Sequence, residues 1–262
     1  MAKKSTSEVV HPPIHCLVYG DPGSKKSTFA ATFPTPGIVI SCDPHGKDQP
    51  YWRRGIPSAL KLASLGGPDE LTPGLTYPYR EVVSKKTGEL LWRIEYYHDT
   101  NPQEPFAYPT LLQRMARLHD EYSKWKTLVF DSVTFFELCA RKYQQYHVMP
   151  DSKEPRRWYA GSTEAVEEMC LIRLGVLPMN VVLICHVDEQ RDEVSGSFLR
   201  NPAAPGRLSK RLPAGYAELY RAFVDPTEKW FGLQTQSDGR FNAASQIPAP
   251  DNCEPHYKAL WL

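Results

Sequence analysis

Residues Gly20 to Thr28 have the types and the spacing of a phosphate-binding loop. They follow an apolar run, 14–19, that reads as a buried β-strand, and they precede a segment, 28–33, that can begin a helix. Backbone N–H groups of such a turn, together with the N-terminus of the helix, make a concave positive site for a polyphosphate. The sequence therefore predicts a nucleotide-binding loop made of Gly20, Asp21, Pro22, Gly23, Ser24, Lys25, Lys26, Ser27 and Thr28.

Lys26 and Ser27 are the residues of this loop with a predicted chemical role. We expect Lys26 to reach the β- and γ-phosphates and the Ser27 hydroxyl to coordinate Mg²⁺. Lys25 departs from the usual pattern G-x-x-x-x-G-K-[ST], because it takes the place of the second glycine, which permits close approach of backbone to phosphate. Either the Lys25 side chain points outward and adds charge, or a lysine at this position indicates a weakened phosphate site. The alternative to the whole prediction is a plain Pro-Gly turn between a strand and a helix.

Asp131 is the second candidate, at the end of the apolar run 127–131. A strand that ends in an aspartate is typical of a Walker B element, whose carboxylate holds the Mg²⁺ shell through water. The alternative role is that of an N-cap for the helix that follows, and the two roles are compatible.

The near-neutral net charge excludes a global electrostatic field that would attract nucleic acid or a membrane. The chain has 262 residues and a formal net charge of +1, so any contact with nucleic acid must come from a local patch. No apolar stretch reaches the length of a membrane span, and the N-terminus lacks the hydrophobic core of a signal peptide. These features predict a cytoplasmic protein that makes no contact with a membrane.

The six cysteines include no C-x-x-C pair, and three of them lie in apolar, strand-like runs. This pattern favours reduced, buried thiols over disulfides. Cys42 and His45 are three residues apart, but no second pair of ligands accompanies them, so we expect no zinc site.

The distribution of apolar runs predicts an α/β fold with a doubly wound, mainly parallel sheet. The core strands are expected at 14–19, 38–42, 127–131, 180–185 and 219–224, with helical segments at 106–123, 133–147 and 163–177. A β-hairpin is expected over 79–97, and a closing C-terminal hairpin over 229–242 with its turn at 237–239. Segments 50–78, 151–162 and 187–215 read as irregular or polar loops. The predicted organisation is a flexible arm, 1–13, and a single domain, 14–262, with an insertion at about 50–105.

The chain resembles the RecA-like P-loop ATPases, most closely the phage-encoded ATPases of single-strand annealing and recombination. The resemblance covers roughly residues 14–224 without the 50–105 insertion, and its most specific part is the combination and order of the motifs. The residues that carry it are 19–28, Phe33-Pro34, Asp43, 128–132 and Cys185-His186.

This resemblance implies a RecA-like core that binds ATP with Mg²⁺. It places the strand 180–185 between the loop strand and the Walker B strand, so that His186 points at the γ-phosphate between Lys26 and Asp131. Asp43 stands where the family usually has a glutamate that orients the attacking water, and its shorter side chain predicts slow hydrolysis. The implied catalytic set is Lys26, Asp43, Asp131 and His186, and the implied metal ligands are Ser27 and Asp131.

The resemblance also implies that the loop after His186 contacts single-stranded DNA. Its basic residues suit phosphate contacts, or reach the nucleotide of a neighbouring subunit in a ring or filament; they are Arg200, Arg207, Lys210 and Arg211. A merely solvated loop is the alternative. A single-strand-binding or other recombination protein is a further possible partner. Two other functions remain open, namely a nucleotide-binding switch with little hydrolysis and a P-loop kinase of small molecules.

Overall fold

Ten strands form one mixed sheet, and two more form a separate ribbon. The computed structural model describes residues 12–44, 60–72, 75–84, 86–191 and 198–261, with the side chains of 60–78, 80, 190, 191 and 199 left out. The strands in this part of the chain are β1 His15–Tyr19, β2 Gly37–Ser41, β3 Leu60–Thr72, β4 Leu75–Ser84, β5 Leu90–Tyr96, β6 Thr127–Asp131, β7 Asn180–Cys185, β8 Val187–Arg191, β9 Phe198–Pro202, β10 Glu218–Asp225, β11 Trp230–Gln234 and β12 Asn252–Cys253.

Helices connect most of the parallel strands. Within the described ranges the α-helices are α1 Lys26–Ala30, α2 Ala107–Glu121, α3 Val133–Tyr143, α4 Pro155–Glu167, α5 Leu208–Ala214 and α6 Tyr257–Trp261. A 3₁₀ turn, Tyr122–Lys124, extends α2, and π-helical segments, Gln144–Val148 and Glu168–Arg173, extend α3 and α4. None of the helices that can be described is long and apolar enough to cross a membrane.

The strand order is β12-β11-β10-β1-β7-β6-β2-β5-β4-β3. The six strands from β10 to β5 in this order are parallel to their neighbours, and the strands outside them are antiparallel. The predicted doubly wound, mainly parallel α/β sheet is therefore confirmed. Strand β7 lies between β1 and β6, which is the position that the resemblance to RecA-like ATPases implies.

Two apolar cores lie on opposite faces of the sheet, because the central strands are buried on both sides. Every residue of β2 and β6 is buried. Leu17 and Tyr19 of β1 belong to the core under α2, α3, α4 and α5. Cys16 and Val18 belong to the core under α1, against which Trp261 of α6 also packs. The edge of the sheet that carries the loop after β1 is thus held from both faces.

Strand β5 is an integral part of the sheet, although it lies within the segment described above as an insertion. Trp92 of β5 is in register with Gly37 of β2, where a Cβ atom would lie 2.3 Å from the indole, so only glycine leaves room for that ring. Glu95 is fully buried and accepts a hydrogen bond from Arg114 of α2 at 3.0 Å. This charged pair joins β5 to the helix packed on it.

Several local predictions are wrong. Residues 187–215 contain the β8–β9 ribbon and α5 in place of a polar loop, and α4 begins at Pro155 within the predicted loop 151–162. Residues 60–72 form β3, which pairs with β4 through register shifts, in place of an irregular segment. Strand β11 pairs with β10 and not with residues 240–242. Of the predicted flexible arm, residues 1–11 lie outside the described residues.

Candidate nucleotide-binding site

The loop between β1 and α1 begins in close contact with the neighbouring strand β10. A Cβ atom at Gly20 would lie 2.2 Å from the backbone oxygen of Ala222, so no side chain fits at this position. Ser24 closes the first turn, because its N–H and its hydroxyl both donate to the carbonyl oxygen of Asp21, at 3.2 and 2.8 Å. The path of the loop is therefore fixed by β10 on one side and by its own turn on the other.

Two residues of the loop have left-handed backbone conformations. Gly23 has φ 82°, with nothing within 4 Å of the place of a Cβ atom, and Lys25 has φ 64°. Lys25 is exposed, and its Nζ lies 3.5 Å from the centroid of the Phe231 ring. The side chain is thus exposed, as the first alternative for Lys25 expects, and whether the site is weakened stays a prediction. Phe29 N–H donates to the Lys25 carbonyl at 2.9 Å, so the N–H groups of residues 26–28 have no carbonyl of α1 in front of them.

Lys26 lies across the inside of the loop. Its Nζ donates to the carbonyl oxygens of Gly20 and Asp21, both at 2.8 Å, and the side chain is only 7% exposed. Burial lowers the pKa of Lys26, and the nearby carboxylates of Asp131 and Asp21 act in the opposite direction. A buried ammonium surrounded by the backbone of a glycine-rich turn is suited to a polyphosphate.

Ser27 meets Asp131 at the end of β6. The Ser27 hydroxyl donates to Asp131 Oδ2 at 2.8 Å, and Asp131 is 6% exposed. The buried Ser41 hydroxyl, in register with Asp131 on β2, has no hydrogen-bond partner among the described protein atoms. Hydroxyl and carboxylate oxygens are ligands that Mg²⁺ accepts, and it commonly keeps several waters and binds few protein groups. These residues fit Mg²⁺, and the described ranges contain no cluster of three or more His, Cys, Asp or Glu side chains for a metal held by protein alone.

His186 follows β7 directly and is half-buried. Its N–H donates to the Thr134 hydroxyl at 3.2 Å, and its ring packs edge-on against Phe135 at 5.6 Å. Burial lowers the pKa of His186, the positive charge of Lys26 lowers it further, and Asp43 acts in the opposite direction. The charges of Lys26 and Asp43 therefore both contribute to the electrostatic environment of the imidazole.

Asp43 is half-buried, two residues after β2, and β2 lies directly beside β6. The structure thus brings Lys26, Ser27, Asp131 and His186 to one edge of the sheet, with Asp43 at the end of the adjacent strand. The chemical roles assigned to these residues stay predictions.

The four basic candidates divide into two pairs. Arg200 Nε lies 2.5 Å from a Glu189 oxygen, and Arg211 lies 2.5 Å from Glu167. Arg207 and Lys210 are exposed on and beside α5. Because carboxylates offset the first two charges, Arg207 and Lys210 are the stronger candidates for contacts with an anionic polymer.

Phe231, which contacts Lys25, and Ser41, which is the register partner of Asp131, are two further residues at the candidate site that the sequence interpretation did not include. The contact of Phe231 with Lys25 joins residues far apart in the chain, so no local pattern could indicate it. Ser41 is the last residue of β2 and the second-last residue of the predicted strand 38–42, and its place near a strand end was the one available signal.

The strand order, the loop after β1 and the aspartate at the end of β6 have the arrangement that the resemblance to RecA-like P-loop ATPases implies. Among solved structures, the chain is similar to a prototypical ATPase from the type III secretion system of pathogenic bacteria, with 12% identity and a TM-score of 0.45. That match covers 82% of this chain and 53% of the other, so the chain spans about half the length of that ATPase. It is also similar to the flagellar accessory protein FlaH from Methanocaldococcus jannaschii, with 10% identity, a TM-score of 0.37, and coverage of 92% and 84%. No protein-family model and no curated protein matches the sequence.

Proposed function

We propose that the chain is a cytoplasmic ATPase of the RecA-like type that binds ATP with Mg²⁺ and acts on single-stranded DNA in recombination or annealing, as phage-encoded ATPases of this type do. The observation that carries the proposal is the pairing of Ser27 with Asp131 beside the buried Lys26. These are the hydroxyl, carboxylate and ammonium that a P-loop site places around the β- and γ-phosphates.

Each side chain has a defined part in this site. Lys26 supplies positive charge to the phosphates. Ser27 and Asp131 would hold Mg²⁺, the latter through water, and the ion would neutralise negative charge of the triphosphate. Asp43 orients the attacking water from the end of β2. Since an aspartate reaches less far than a glutamate, we expect slow turnover.

His186 connects the nucleotide to the ribbon. In the nucleotide-free chain, burial and the charge of Lys26 lower the pKa of His186 and favour the neutral imidazole, whose N–H can donate a hydrogen bond to a phosphate oxygen. Its carbonyl oxygen accepts the N–H of Ala203 at 2.8 Å, directly after β9. A shift of His186 toward the γ-phosphate therefore acts on the segment that leads to Arg207 and Lys210, the groups proposed to contact DNA. An oligomer on the DNA strand would allow the same cations to reach a neighbouring subunit's nucleotide.

The test is an assay of ATP binding and hydrolysis with and without single-stranded DNA. Turnover that rises with DNA supports the proposal, and we expect Lys26→Ala to abolish nucleotide binding. Lys124→Ala is the matched control. Lys124 is exposed and lies between the end of α2 and the start of β6, whereas the candidate site lies at the other end of β6. Unchanged ATP affinity in Lys26→Ala would refute the site itself.

A nucleotide-binding switch with little hydrolysis is the second candidate, and the short Asp43 side chain favours it. ATP binding without turnover, in the presence of DNA and Mg²⁺, would identify this function. Turnover that needs a small-molecule acceptor would instead identify a kinase.

A further inference from the structure

Lys25 and Phe231 form a contact that joins the loop to the second strand beyond it. The Lys25 ammonium lies 3.5 Å from the centroid of the Phe231 ring. Phe231 belongs to β11, where it pairs with Val224 of the antiparallel strand β10. A cation within about 6 Å of an aromatic centroid is attracted by the negative face of the ring.

This contact meets a specific need of the loop. Lys25 has φ 64°, a conformation that residues other than glycine adopt at an energetic cost. The opposite end of the loop, Gly20, rests against the Ala222 carbonyl of β10. Both ends of the loop are thus fixed to the β10–β11 hairpin, one by backbone packing and one by the cation over the ring.

The two adjacent lysines therefore have different surroundings. Lys26 is buried and bonded to the loop carbonyls, whereas Lys25 is exposed and directed at an aromatic ring. In this structure the ring of Phe231 is thus the partner of the Lys25 ammonium.

We propose that Lys25 is a positioning residue of the triphosphate site that acts through Phe231. The contact holds the left-handed turn in place, so that Lys26 and the N–H groups of α1 keep the geometry that receives phosphate. This inference rests on the proposed function of the loop as a nucleotide site. It assigns to the β10–β11 hairpin a part in nucleotide affinity.

The experiment measures the Kd of a non-hydrolysable ATP analogue with Mg²⁺ for a set of variants. Lys25→Met and Phe231→Leu are each expected to weaken binding about two- to fivefold, the range of an exposed cation–π contact. The double variant is expected to bind no more weakly than the weaker single variant, because both changes remove the same interaction. Lys25→Arg and Phe231→Tyr keep a cation and an aromatic ring, so they are expected to retain wild-type affinity.

Three results would overturn the inference. Lys25→Met could leave the affinity unchanged; its effect could multiply with that of Phe231→Leu; or it could weaken binding while Phe231→Leu does not, which would indicate a direct phosphate contact. Because Lys25 is exposed, its variants test the inference even if Phe231→Leu does not fold. In that case, a Lys25→Arg variant that binds the analogue as weakly as Lys25→Met would contradict the inference. Lys26→Ala distinguishes failure of the proposed function from failure of this inference. Unchanged affinity for the analogue in Lys26→Ala would refute the nucleotide site itself, whereas the Lys25 variants test only the positioning role.

Discussion

Two buried polar residues, Asp131 and Ser41, are register partners at the ends of the adjacent strands β6 and β2. Asp131 accepts the Ser27 hydroxyl, and the Ser41 hydroxyl of the adjacent strand lies beside it without a protein partner. A buried hydroxyl that makes no hydrogen bond costs free energy, which is tolerated where a ligand or water supplies the partner. Ser41 is therefore a candidate to hold a water of the Mg²⁺ shell.

Ser41→Ala is expected to separate stability from function. Removal of the unpaired hydroxyl should leave the free energy of unfolding unchanged or raise it by up to about 1 kcal/mol. In Ser41→Ala, the gain in ATP affinity that Mg²⁺ provides should be smaller than in the wild type. In Ser27→Ala, this gain should be smaller still. Urea unfolding and ATP titrations with Mg²⁺ or with a chelator measure the two quantities, and unchanged Mg²⁺ dependence in Ser41→Ala would exclude this part for the hydroxyl.

His186 gives the site a predicted pH dependence. Because burial and Lys26 lower its pKa in the folded chain, the unfolded chain takes up this proton at higher pH, near the ordinary value of 6.5. The stability that the neutral imidazole contributes is complete above that pH and is lost as the pH falls below it. Between pH 7.5 and 5, we expect the urea midpoint of His186→Gln to fall less steeply with decreasing pH than that of the wild type. The difference should be no larger than the uptake of one proton can produce. His98→Gln, at an exposed position, is the control and should follow the wild-type curve.

At the scale of elements, the ribbon β8–β9 contacts the segment 240–241, which also packs against β10. Arg200 of β9 lies over the Phe241 ring at 5.1 Å and donates its N–H to the Arg240 carbonyl at 3.0 Å. Arg221 of β10 lies over the same ring at 3.2 Å. Phe241 thus contacts two arginines, one from the ribbon and one from the strand beside the loop. Because Arg200 has this structural role, the proposed function predicts DNA contacts at Arg207 and Lys210 instead.

Replacement of Arg207 and Lys210 by alanine is expected to weaken binding of single-stranded DNA at all sequences alike. Each lost phosphate contact should reduce the slope of log affinity against log salt by about 0.7. Arg211→Ala should have a smaller effect, because Glu167 already pairs with that guanidinium. Fluorescence anisotropy at several salt concentrations measures the slopes, with Lys124→Ala as the control. Equal slopes in all variants would exclude α5 from the DNA contact.

At the scale of the whole molecule, the two faces of the sheet are covered unequally. Long helices cover one face, whereas short α1 and the C-terminal α6 share part of the other. Trp261 packs 5.5 Å from Phe33 and 6.1 Å from Tyr220, and the Tyr257 N–H donates to the Thr32 hydroxyl at 2.8 Å. The last helix therefore supports the segment that follows the phosphate loop.

Trp261→Ala is expected to destabilise the fold and to weaken nucleotide binding together. Because the side chain is half-buried, we expect a loss of about 2 kcal/mol in the free energy of unfolding, below the value for a fully buried tryptophan. Urea unfolding with and without ATP measures both effects. Lys258→Ala, on the exposed side of the same helix, is the control. A loss equal to that of the control would show that α6 gives α1 no support.

The central strands were predictable because parallel strands covered on both faces read as unbroken apolar runs. Asp131 and His186 were found for the same reason, since each ends such a run. The partner of β11 was not predictable from the turn at 237–239, because the Asp238 carboxylate accepts N–H groups of Arg240 and Phe241 without closing a hairpin. The actual turn contains no glycine. There the Asp225 carboxylate accepts the N–H groups of Thr227 and Glu228, and Lys229 has φ 51°.

Helix α4 and the ribbon carry weak sequence signals for physical reasons. Pro155 suits the first turn of a helix, yet in a polar context it also reads as a loop. Strand β8 is largely polar, Val187-Asp188-Glu189-Gln190-Arg191, because the ribbon stands outside the main sheet and has little apolar surface to bury. Burial creates the patterns that sequence interpretation depends on, so the ribbon, which lies outside the main sheet, escapes it.

All six cysteines of the chain are free and buried, and burial raises the pKa of the thiols of Cys16, Cys42, Cys139, Cys170, Cys185 and Cys253. Alkylating reagents attack the thiolate, so the folded chain should resist maleimide while the denatured chain takes up six labels. The native sequence thus provides a silent background for spectroscopy. One cysteine engineered at an exposed position of α5 would carry a single fluorophore and report directly on how that helix responds to nucleotide.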